Sequence, residues 1–467
     1  MSVGPVNQSL HRHGSRFGKA FAIAFAVALL SACSTAHYFI NPRLEAEKGE
    51  SAYAMRNLGP QGNTDSLLVL VAISGGGYRA AALGYGVLAA LRDTPIEWEG
   101  AKRTMLDEVD FITGVSGGAL IAAYFMTFRE ETFTRFEREV LALDLQHHVL
   151  ARTLSPRGLW RQTSRRFGRG DVLAELLDEH VFKGKTYGDV PRRRPMGIIN
   201  ATDLEFGGRF EFSQDQFDHV CADLDAFPVS RAVAASMAVP LLLSPVTLWN
   251  YTNDCPLARQ PLVLKSQAGR SRYIHLLDAG LADNTGVQTP LELISVRGGI
   301  IESAKAAGLS GIKKRVFIIV NAQANEKFDE DSLPDTPTLL RQLRAVVDVP
   351  IDRYSAASIE LLKQEVVRWR ADLRAASDEQ LGGIVSRDTD FFVIEVSLSA
   401  PPPDFDIRAL SGIPTSLRIS EPQSKALQRY ARQALESNPE WKHLMGLVRP
   451  ASAGTSDSGS SRSEPVP

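Results

Sequence analysis

Residues 67–80 read LLVLVAISGGGYRA, an apolar run that passes directly into three glycines. A continuous apolar run of this length predicts a strand buried on both faces of a parallel sheet. The small residues and helix formers of 80–91 predict a helix immediately behind the glycines. A second strand at Val109–Thr113 and a second helix at Gly118–Phe128 repeat this order. Alternating strands and helices predict an α/β domain with a mainly parallel sheet and helices on both faces.

The remaining sequence extends this pattern over one large domain, residues 65–447. Residues 129–195 are charged, rich in arginine and helical in character, which predicts a helical insertion and a candidate lid. The polar residues 33–64 predict an N-terminal tether, and the Ser, Gly and Pro of 448–467 predict a disordered tail. Later strands are predicted at Met196–Asn200, Phe210–Phe212, Ile274–Leu277, Val316–Val320 and Phe391–Ser397, and later helices at 337–378 and Ser424–Leu435.

The composition excludes several classes of protein. The 52 Lys and Arg against 54 Asp and Glu leave a net charge of −2, which excludes a globally basic nucleic-acid binder. A hydrophobic content of 44% excludes wholesale disorder. The 3 cysteines exclude a disulfide-dense scaffold. No EF-hand spacing and no His/Cys cluster occurs, so we expect neither a metal nor another cofactor.

The N-terminus has the pattern of a secretory signal. Residues 1–19 carry three basic side chains and no acidic one, and residues 20–30 (AFAIAFAVALL) are apolar. This run is shorter than the roughly 20 residues that span a bilayer, and small residues follow it, as they do at a signal cleavage site. We therefore expect a signal peptide over residues 1–32.

The LSAC sequence at residues 30–33 resembles the bacterial lipoprotein lipobox. The resemblance implies that Cys33 is diacylated and becomes the new N-terminus, which anchors the protein in the bacterial cell envelope. Ser34, where Asp would mark inner-membrane retention, implies the outer membrane facing the periplasm. An uncleaved anchor, or a signal with an incidental cysteine, stays open. In that oxidising compartment Cys221 and Cys255 are free to form a disulfide, with two buried thiols as the alternative.

The SGGGYRA sequence at residues 74–80 predicts an anion-binding loop. Glycines leave backbone N–H groups uncovered, and the helix behind them adds partial positive charge. Such a loop suits a phosphate or a tetrahedral oxyanion. Gly75, Gly77 and Ala80 also match G-x-G-x-x-A of a dinucleotide-binding fold, but the second strand ends in Phe-Ile-Thr-Gly, without a carboxylate for the ribose. No Gly-Lys-Ser/Thr follows, which excludes a P-loop.

The GVSGG sequence at residues 114–118 is a G-x-S-x-G motif between the second strand and the second helix. That strand–turn–helix context is the one in which this motif makes a nucleophile elbow. Flanking glycines permit the tight turn that would project the Ser116 hydroxyl above the sheet. Together with the neighbouring anion loop, the motif predicts a nucleophilic serine.

The Ser116 hydroxyl needs a base, and the sequence offers two kinds. A conventional α/β-hydrolase places its histidine late in the chain, where only His443 follows Asp278. His275 precedes Asp278 by three residues, and strand alternation would put their side chains on opposite faces. Asp278, in the DAG sequence that follows a predicted strand, is the better candidate. A carboxylate there would take the serine proton directly if burial raises its pKa.

The sequences SGGGYR at 74–79, GVSGG at 114–118 and DAG at 278–280 together resemble the patatin-like phospholipases and their cytosolic phospholipase A2 relatives. The resemblance covers about residues 67–290. It implies a three-layer α/β/α fold and a dyad of Ser116 as nucleophile and Asp278 as base. Further matching stretches are NATD at 200–203, AASMAVP at 234–240, SPV at 244–246 and DN at 283–284.

The resemblance also implies roles around the glycine loop. Gly75, Gly76 and Gly77 would form the oxyanion hole, and Arg79 would support that loop or the substrate phosphate. The chain departs from the family at two positions. Ser74 stands where many patatins have an acidic residue, and Ala279 replaces the middle glycine of DGG. Ser74 and Arg79 resemble the cytosolic phospholipase pattern more closely.

The implied activity is hydrolysis of carboxylic esters of acyl lipids, of the phospholipase A, lysophospholipase or esterase type, through an acyl-Ser116 intermediate. The expected partners are a phospholipid or another acyl-ester substrate and a membrane held through the lipid anchor, with no nucleic acid. An esterase that uses His443, a catalytically silent lipid-binding lipoprotein and a dinucleotide-binding protein remain alternatives. The sequence leaves the head group, the acyl position and the oligomeric state open.

Arginines in the insertion surround Leu159, Trp160 and Phe167. Such a mixture suits contact with an anionic lipid surface or a lid, and equally a solvated charged face with local acidic partners. The arginines are Arg152, Arg157, Arg161, Arg165, Arg166 and Arg169.

Overall fold

We describe the protein from a computed structural model that covers residues 34–255, 271–323, 336–399, 401–402, 405 and 407–448. The strands are β1 Leu67–Ile73, β2 Pro95–Trp98, β3 Ala101–Thr104, β4 Val109–Gly114, β5 Met196–Asp203, β6 Arg209–Glu211, β7 Val246–Trp249, β8 Tyr273–Leu277, β9 Ile312–Asn321 and β10 Val385–Ser397. The first helices are α1 Gly77–Arg92, α2 Gly117–Phe128, α3 Thr132–Phe136, α4 Leu145–Leu154, α5 Pro156–Arg161, α6 Arg169–Leu177, α7 Gln214–His219 and α8 Val229–Ser236. The later helices are α9 Gly280–Asp283, α10 Gln288–Val296, α11 Ile300–Ala306, α12 Leu339–Ala375, α13 Asp378–Leu381, α14 Arg408–Ser411, α15 Glu421–Ser437 and α16 Pro439–Val448.

The central sheet is mainly parallel. Within the described residues its order is β10-β9-β1-β4-β5-β8-β7, with β6 added to β5. Neighbouring strands from β10 to β5 pair in parallel, whereas β8 runs antiparallel to both β5 and β7. Helices flank this sheet, which confirms the predicted α/β fold class.

The register of β1 brings the two glycine-rich motifs together. Ile73 at the end of β1 pairs with Gly114 at the end of β4. The loop after β1 and the turn after β4 therefore leave the sheet at the same level. Parallel strands place their carboxyl ends at one edge, which is where open α/β sheets bind ligands.

Helix α1 is buried on nearly all sides, as its alanines and glycines predict. A Cβ at Gly84 would lie 2.9 Å from Ile73 Cγ2, and one at Gly86 would lie 2.8 Å from Ala431 Cβ of α15. The two glycines thus let α1 fit closely between the sheet and α15. This packing fixes the N-terminus of α1, and with it the glycine loop.

Residues 129–195, which the sequence predicts to be a helical insertion, contain α3 to α6 and two short π-helical turns. Its inner face is firmly packed. Leu173 and Phe182 are fully buried, and Arg231 of α8 pairs with the buried Asp171 at 2.9 Å. Arg129 donates to the carbonyls of Arg193 and Pro195, which ties the two ends of the insertion together.

Residues 34–64 differ from the predicted tether because they pack against the domain. Tyr53 is fully buried, and its hydroxyl donates to the Gly197 carbonyl at 3.1 Å and accepts from the Gly197 N–H at 2.9 Å. Its ring lies 5.5 Å from that of Tyr187. The apolar side chains scattered through this polar segment hold it on β5 and the insertion. Residues 1–33 and 449–467, which include the predicted signal peptide and most of the predicted tail, lie outside the described residues.

Several elements were not predicted, among them the helices α8, α10 and α11. The β2–β3 hairpin, which turns at Glu99 and Gly100 with positive φ at both residues, was not predicted either. The same holds for β7 beside β8 and for α16 after the predicted last helix. Among the described helices, none is both long and apolar enough to span a bilayer.

Candidate active site

Ser116 lies at a strained turn between β4 and α2. Its backbone has φ 50° and ψ −118°, a region that a non-glycine residue rarely occupies. A Cβ at Gly114 would meet Ala119 Cα at 2.6 Å, and one at Gly118 would meet the Ile73 carbonyl at 2.4 Å. The flanking glycines therefore let the turn close, as a nucleophile elbow requires.

A hydroxyl on α8 holds this strained turn. The Ser116 N–H donates to Ser236 Oγ at 2.8 Å, and Ser236 is fully buried. The Ala279 N–H donates to the Ser236 carbonyl at 3.1 Å. Ser236 thus joins the elbow to the segment that carries Asp278. Sequence reasoning quoted Ser236 only as part of a matching stretch and assigned it no role.

The strand that positions Asp278 runs in an unexpected direction. The sequence predicted that Asp278 follows a strand of a mainly parallel sheet, but β8 itself is antiparallel to β5 and pairs with it only at Thr202 and Asp203. Because those residues end β5, Asp278 still lies at the carboxyl edge of the parallel strands. Thr202 Oγ1 donates to the Asp278 carbonyl at 2.8 Å and fixes that position.

Ser116 and Asp278 contact each other directly. Ser116 Oγ donates to Asp278 Oδ2 at 2.8 Å, and the Gly280 N–H donates to Asp278 Oδ1 at 2.8 Å. Both side chains are buried. Burial raises the pKa of the Asp278 carboxyl to about 6, against the lowering by its two hydrogen bonds. A carboxyl with a pKa near neutrality can both accept and return a proton, as a general base must.

The histidines considered as bases lie elsewhere. The His443 ring contacts the Phe392 ring on β10, with centroids 5.5 Å apart. His275 is exposed and lies 3.0 Å from Thr247 Oγ1 on β7. Neither hydrogen-bonds to Ser116 or Asp278. The Asp278 carboxylate therefore faces the Ser116 hydroxyl without an imidazole between them.

The glycine loop lies against Ser116 in a conformation that requires glycine. Gly76 has φ 135° and Gly77 has φ 58°. A Cβ at Gly75 would lie 3.5 Å from Ser116 Cβ. The Gly75 N–H donates to the Asn284 carbonyl at 2.9 Å, so this amide is already engaged, contrary to its expected place in the oxyanion hole. In the described part of the chain, the Gly76 and Gly77 amides donate to no other group.

Arg79 supports the loop from behind. Its side chain is buried, and it donates to the Ala322 carbonyl at 2.9 Å, to the Ile413 carbonyl and to Thr415 Oγ1 at 3.2 Å. Ser74 Oγ accepts from the Ala322 N–H at 2.9 Å. Of the two expected roles for Arg79, these contacts match loop support, because they hold its guanidinium on Ala322, Ile413 and Thr415.

The substitution Gly77→Ala tests whether this loop must keep its shape. A Cβ there would lie 2.4 Å from the Ser416 carbonyl, on backbone that cannot move aside cheaply. We expect kcat to fall by about 10²- to 10³-fold as the neighbouring amides shift, together with a loss of about 1–3 kcal/mol in stability.

Gly382→Ala is the matched control for this variant. Gly382 has a similar φ of 52°, but the nearest atom to its Cβ would be 3.6 Å away. It carries the backbone strain without the clash. Ester hydrolysis and thermal unfolding of both variants are the measurements, and equal activity losses would contradict a role for the loop geometry.

Cys221 and Cys255 form a disulfide with a Cα–Cα distance of 6.3 Å. Cys221 is fully buried, and its carbonyl accepts from the Leu44 N–H at 2.9 Å, so the bridge lies beside the N-terminal segment. Cys33 lies outside the described residues. Within those residues, no group of three or more His, Cys, Asp or Glu side chains is placed to hold a metal ion.

Comparisons with known proteins found solved structures to which this chain is similar. Human GIVD cytosolic phospholipase A2 is 13% identical, with a TM-score of 0.46 over 82% of this chain and 60% of its own. The same human enzyme in complex with methyl gamma-linolenyl fluorophosphonate is 15% identical, with a TM-score of 0.43 over 82% of this chain and 59% of its own. This chain thus spans about 60% of the length of these structures. Among curated proteins, none matches.

The family model described as patatin-like phospholipase matches residues 71–291. That segment contains the glycine loop, the elbow at Ser116, the supporting Ser236 and the carboxylate of Asp278. Residues 71–291 therefore match the patatin-like phospholipase family.

Proposed function

We propose that the protein is a serine hydrolase that cleaves the carboxylic esters of acyl lipids, as a phospholipase A, lysophospholipase or lipid esterase. The observation that carries this proposal is the 2.8 Å hydrogen bond from Ser116 Oγ to Asp278 Oδ2. It joins a nucleophile on a strained elbow to a buried base, inside the segment that matches the family. A hydroxyl becomes an effective nucleophile only when such a base accepts its proton.

Acylation begins when Asp278 accepts the Ser116 proton. Ser116 Oγ attacks the acyl carbonyl carbon, and the carbonyl oxygen gains the negative charge of the tetrahedral intermediate. The free amides of Gly76 and Gly77 are the donors available to that oxygen. As the intermediate collapses, Asp278 returns the proton to the leaving alcohol, and the acyl group stays on Ser116.

Deacylation uses the same two residues in the same roles. Asp278 takes a proton from a water molecule, whose oxygen attacks the acyl-Ser116 carbonyl. The second tetrahedral intermediate collapses, Asp278 protonates Ser116 Oγ, and a free carboxylic acid leaves. Each half-reaction thus restores the proton that it removed, and it needs no cofactor.

The raised pKa of Asp278 sets the pH dependence of this chemistry. The base must be ionised, and burial holds its pKa at about 6. We therefore expect kcat/KM to rise tenfold per pH unit below about pH 6 and to level off above it. Initial rates on a soluble short-chain ester, in buffers from about pH 4 to pH 8, measure this profile. A flat profile across pH 6 would count against Asp278 as the base.

His443→Ala separates the dyad from a histidine-dependent triad. His443 packs on Phe392, away from the Ser116–Asp278 pair. We expect the variant to keep kcat within about twofold of wild type, since this surface substitution removes no group from the reaction. A loss of the order of 10²-fold in ester hydrolysis would support the triad instead.

We also propose that the mature protein begins at an acylated Cys33 and resides in the bacterial outer membrane, facing the periplasm. The lipobox-like sequence at residues 30–33 supports this proposal. The Cys221–Cys255 disulfide supports it independently, because such bonds persist in oxidising compartments. Mass spectrometry of the N-terminal peptide tests the anchor. An unmodified Cys33, or an intact signal peptide, would refute it.

The substrate class is tested by hydrolysis of defined lipids. Diacyl phospholipid, lysophospholipid and a short-chain ester are each incubated with the purified protein, and released fatty acid is quantified. Release from either lipid supports a lipid acyl hydrolase, whereas turnover of the short ester alone would limit the activity to a general esterase. Turnover of none of the three would refute the proposed activity.

A further inference from the structure

We propose that α4 and α5 form a membrane-docking patch that contacts the anionic lipid leaflet holding the acyl anchor. The patch consists of Leu150, Leu154, Leu159 and Trp160, with Arg157 and Arg165 among them. This inference rests on the proposed acylation of Cys33, which it deepens by assigning the protein an orientation on the membrane.

The apolar half of the patch is exposed in a way that a folded domain normally avoids. The four side chains are between 45% and 65% exposed. Leu150 and Leu154 are four residues apart on α4 and therefore share one helix face. A Cβ at Gly158 would collide with the Arg152 carbonyl, so α5 packs closely against the end of α4. This close packing puts α5, which carries Leu159 and Trp160, against the end of α4, which carries Leu154.

The cationic half of the patch is available to a ligand. Arg152 and Arg161 pair with Glu179 and Glu175, which are acids of the insertion itself. By contrast, Arg157 and Arg165 are exposed, and no carboxylate of the described residues lies within ion-pair distance of either. Unpaired arginines next to exposed tryptophan and leucine suit the interface of a bilayer with anionic head groups.

The first described residues, which follow the proposed acylated cysteine, lie beside this patch, on the segment that comes after α5. The Ser34 N–H donates to Thr163 Oγ1 at 3.0 Å, Ser164 Oγ donates to the Ala36 carbonyl at 2.6 Å, and the Tyr38 N–H donates to the Arg166 carbonyl at 2.7 Å. An acyl group on the preceding residue would therefore enter the membrane next to α5. This contact favours the lipid leaflet over another partner for the patch.

A second apolar surface connects the patch to the reaction centre. Arg169 donates to the Leu241 carbonyl at 2.9 Å, and the exposed Leu241 and Leu242 follow the loop that begins at Ala238. The Ala238 carbonyl accepts from the Asp278 N–H at 3.0 Å. An exposed apolar rim thus lies along the path of contacts that runs from the insertion to the dyad. A near-neutral net charge of −2 means that attraction to the lipid must come from such a local patch.

The test measures depth in the bilayer at Leu159. The full chain carries two substitutions, Ser116→Ala, which prevents hydrolysis of the lipids, and Leu159→Cys. An environment-sensitive fluorophore is attached to the Leu159→Cys thiol. The labelled chain is reconstituted in vesicles of phosphatidylethanolamine and phosphatidylglycerol with a quencher on the acyl chains. Leu361→Cys, on the exposed face of α12, is the matched control. We expect a blue shift and quenching at Leu159 and neither at Leu361. Equal signals at the two sites would overturn the inference.

The charge contribution is tested by Arg157→Ala with Arg165→Ala in the same labelled chain. At about 1 kcal/mol for each arginine near an anionic leaflet, we expect the ratio of docked to undocked protein to fall about 30-fold. Arg374→Ala with Lys442→Ala removes equal charge elsewhere and should leave the ratio unchanged. Equal effects of the two pairs would contradict a specific patch.

Two further readouts distinguish a failure of the docking patch from a failure of the proposed hydrolysis or of the proposed acylation of Cys33. The Ser116→Ala background makes the fluorescence independent of hydrolysis. The mass of the N-terminal peptide reports acylation, so quenching at Leu159 in an unacylated chain would support the patch while refuting the anchor. A disulfide between Leu159→Cys chains in the absence of vesicles would show that the patch binds a second copy, which would overturn the docking inference.

Discussion

Ser116→Ala is expected to abolish hydrolysis of both lipid and short-chain esters. The substitution removes the only atom that forms the acyl-enzyme bond, and the Asp278 carboxylate then has no hydroxyl to activate. In a hydrolase whose nucleophile and base act as a unit, loss of the nucleophile lowers kcat by about 10⁴-fold or more. Fatty-acid release measured over hours gives the residual rate.

A second serine substitution provides the control for Ser116→Ala. Ser437→Ala, at the exposed end of α15, changes the same atoms far from the elbow and should keep full activity. Thermal unfolding should show that Ser116→Ala remains folded, since the substitution removes only one buried oxygen and one hydrogen bond to Asp278. A Ser116→Ala variant with more than about one hundredth of wild-type kcat would refute the proposed nucleophile.

Asp278→Asn is expected to reduce kcat/KM by about 10³- to 10⁴-fold. The amide keeps the shape of the carboxyl group, so its oxygen can still accept from Gly280 and its NH₂ group can donate to Ser116 Oγ. It cannot accept the serine proton. Asp203→Asn, a carboxylate at the end of β5 that binds the Glu205 N–H, is the control and should retain activity. Full activity in Asp278→Asn would refute the dyad.

The same substitution is expected to stabilise the fold. Burial raises the pKa of Asp278 from 3.8 to about 6 in the folded protein. Between these values the folded state holds a proton that the unfolded state has released, so stability falls as pH rises through this window and is constant above it. The ionised carboxylate therefore costs about 3 kcal/mol at neutral pH.

Chemical unfolding at two pH values measures this cost. Relative to wild type, Asp278→Asn should gain about 2–3 kcal/mol near pH 8 and much less near pH 4, where the wild-type carboxyl is protonated when folded. Ser116→Ala is the reference variant, because it changes the same site but keeps the Asp278 carboxylate. An equal gain at both pH values would contradict a buried, ionised base.

The sequence predicted the parts of the fold that depend on local pattern. The apolar run of β1 and the small residues of α1 read directly as a buried strand and a buried helix, and both formed with nearly those bounds. The Ser116 elbow was predictable because its glycines and its strand–turn–helix context lie within a few consecutive residues.

Other features depended on contacts between distant residues. The Gly75 N–H donates to the Asn284 carbonyl, more than 200 residues away. No local sequence pattern could therefore indicate that this amide is not available to the oxyanion. β8 runs antiparallel both to β5 and to the unpredicted β7, and these pairings join residues that are distant in sequence. Tyr53 packs on Gly197 across 144 residues, so composition alone indicated a tether. Ser236 likewise gains its role only when α8 approaches the elbow.

The central claim is that Ser116 is a nucleophile activated directly by Asp278, and covalent trapping tests it most directly. The purified protein is incubated with a fluorophosphonate, digested and analysed by mass spectrometry. We predict one adduct, on the peptide that contains Ser116, with labelling about 10²-fold slower or more in Asp278→Asn and at the wild-type rate in His443→Ala. Absence of an adduct on Ser116 in the wild-type protein, or equal labelling rates in wild type and Asp278→Asn, would contradict the account.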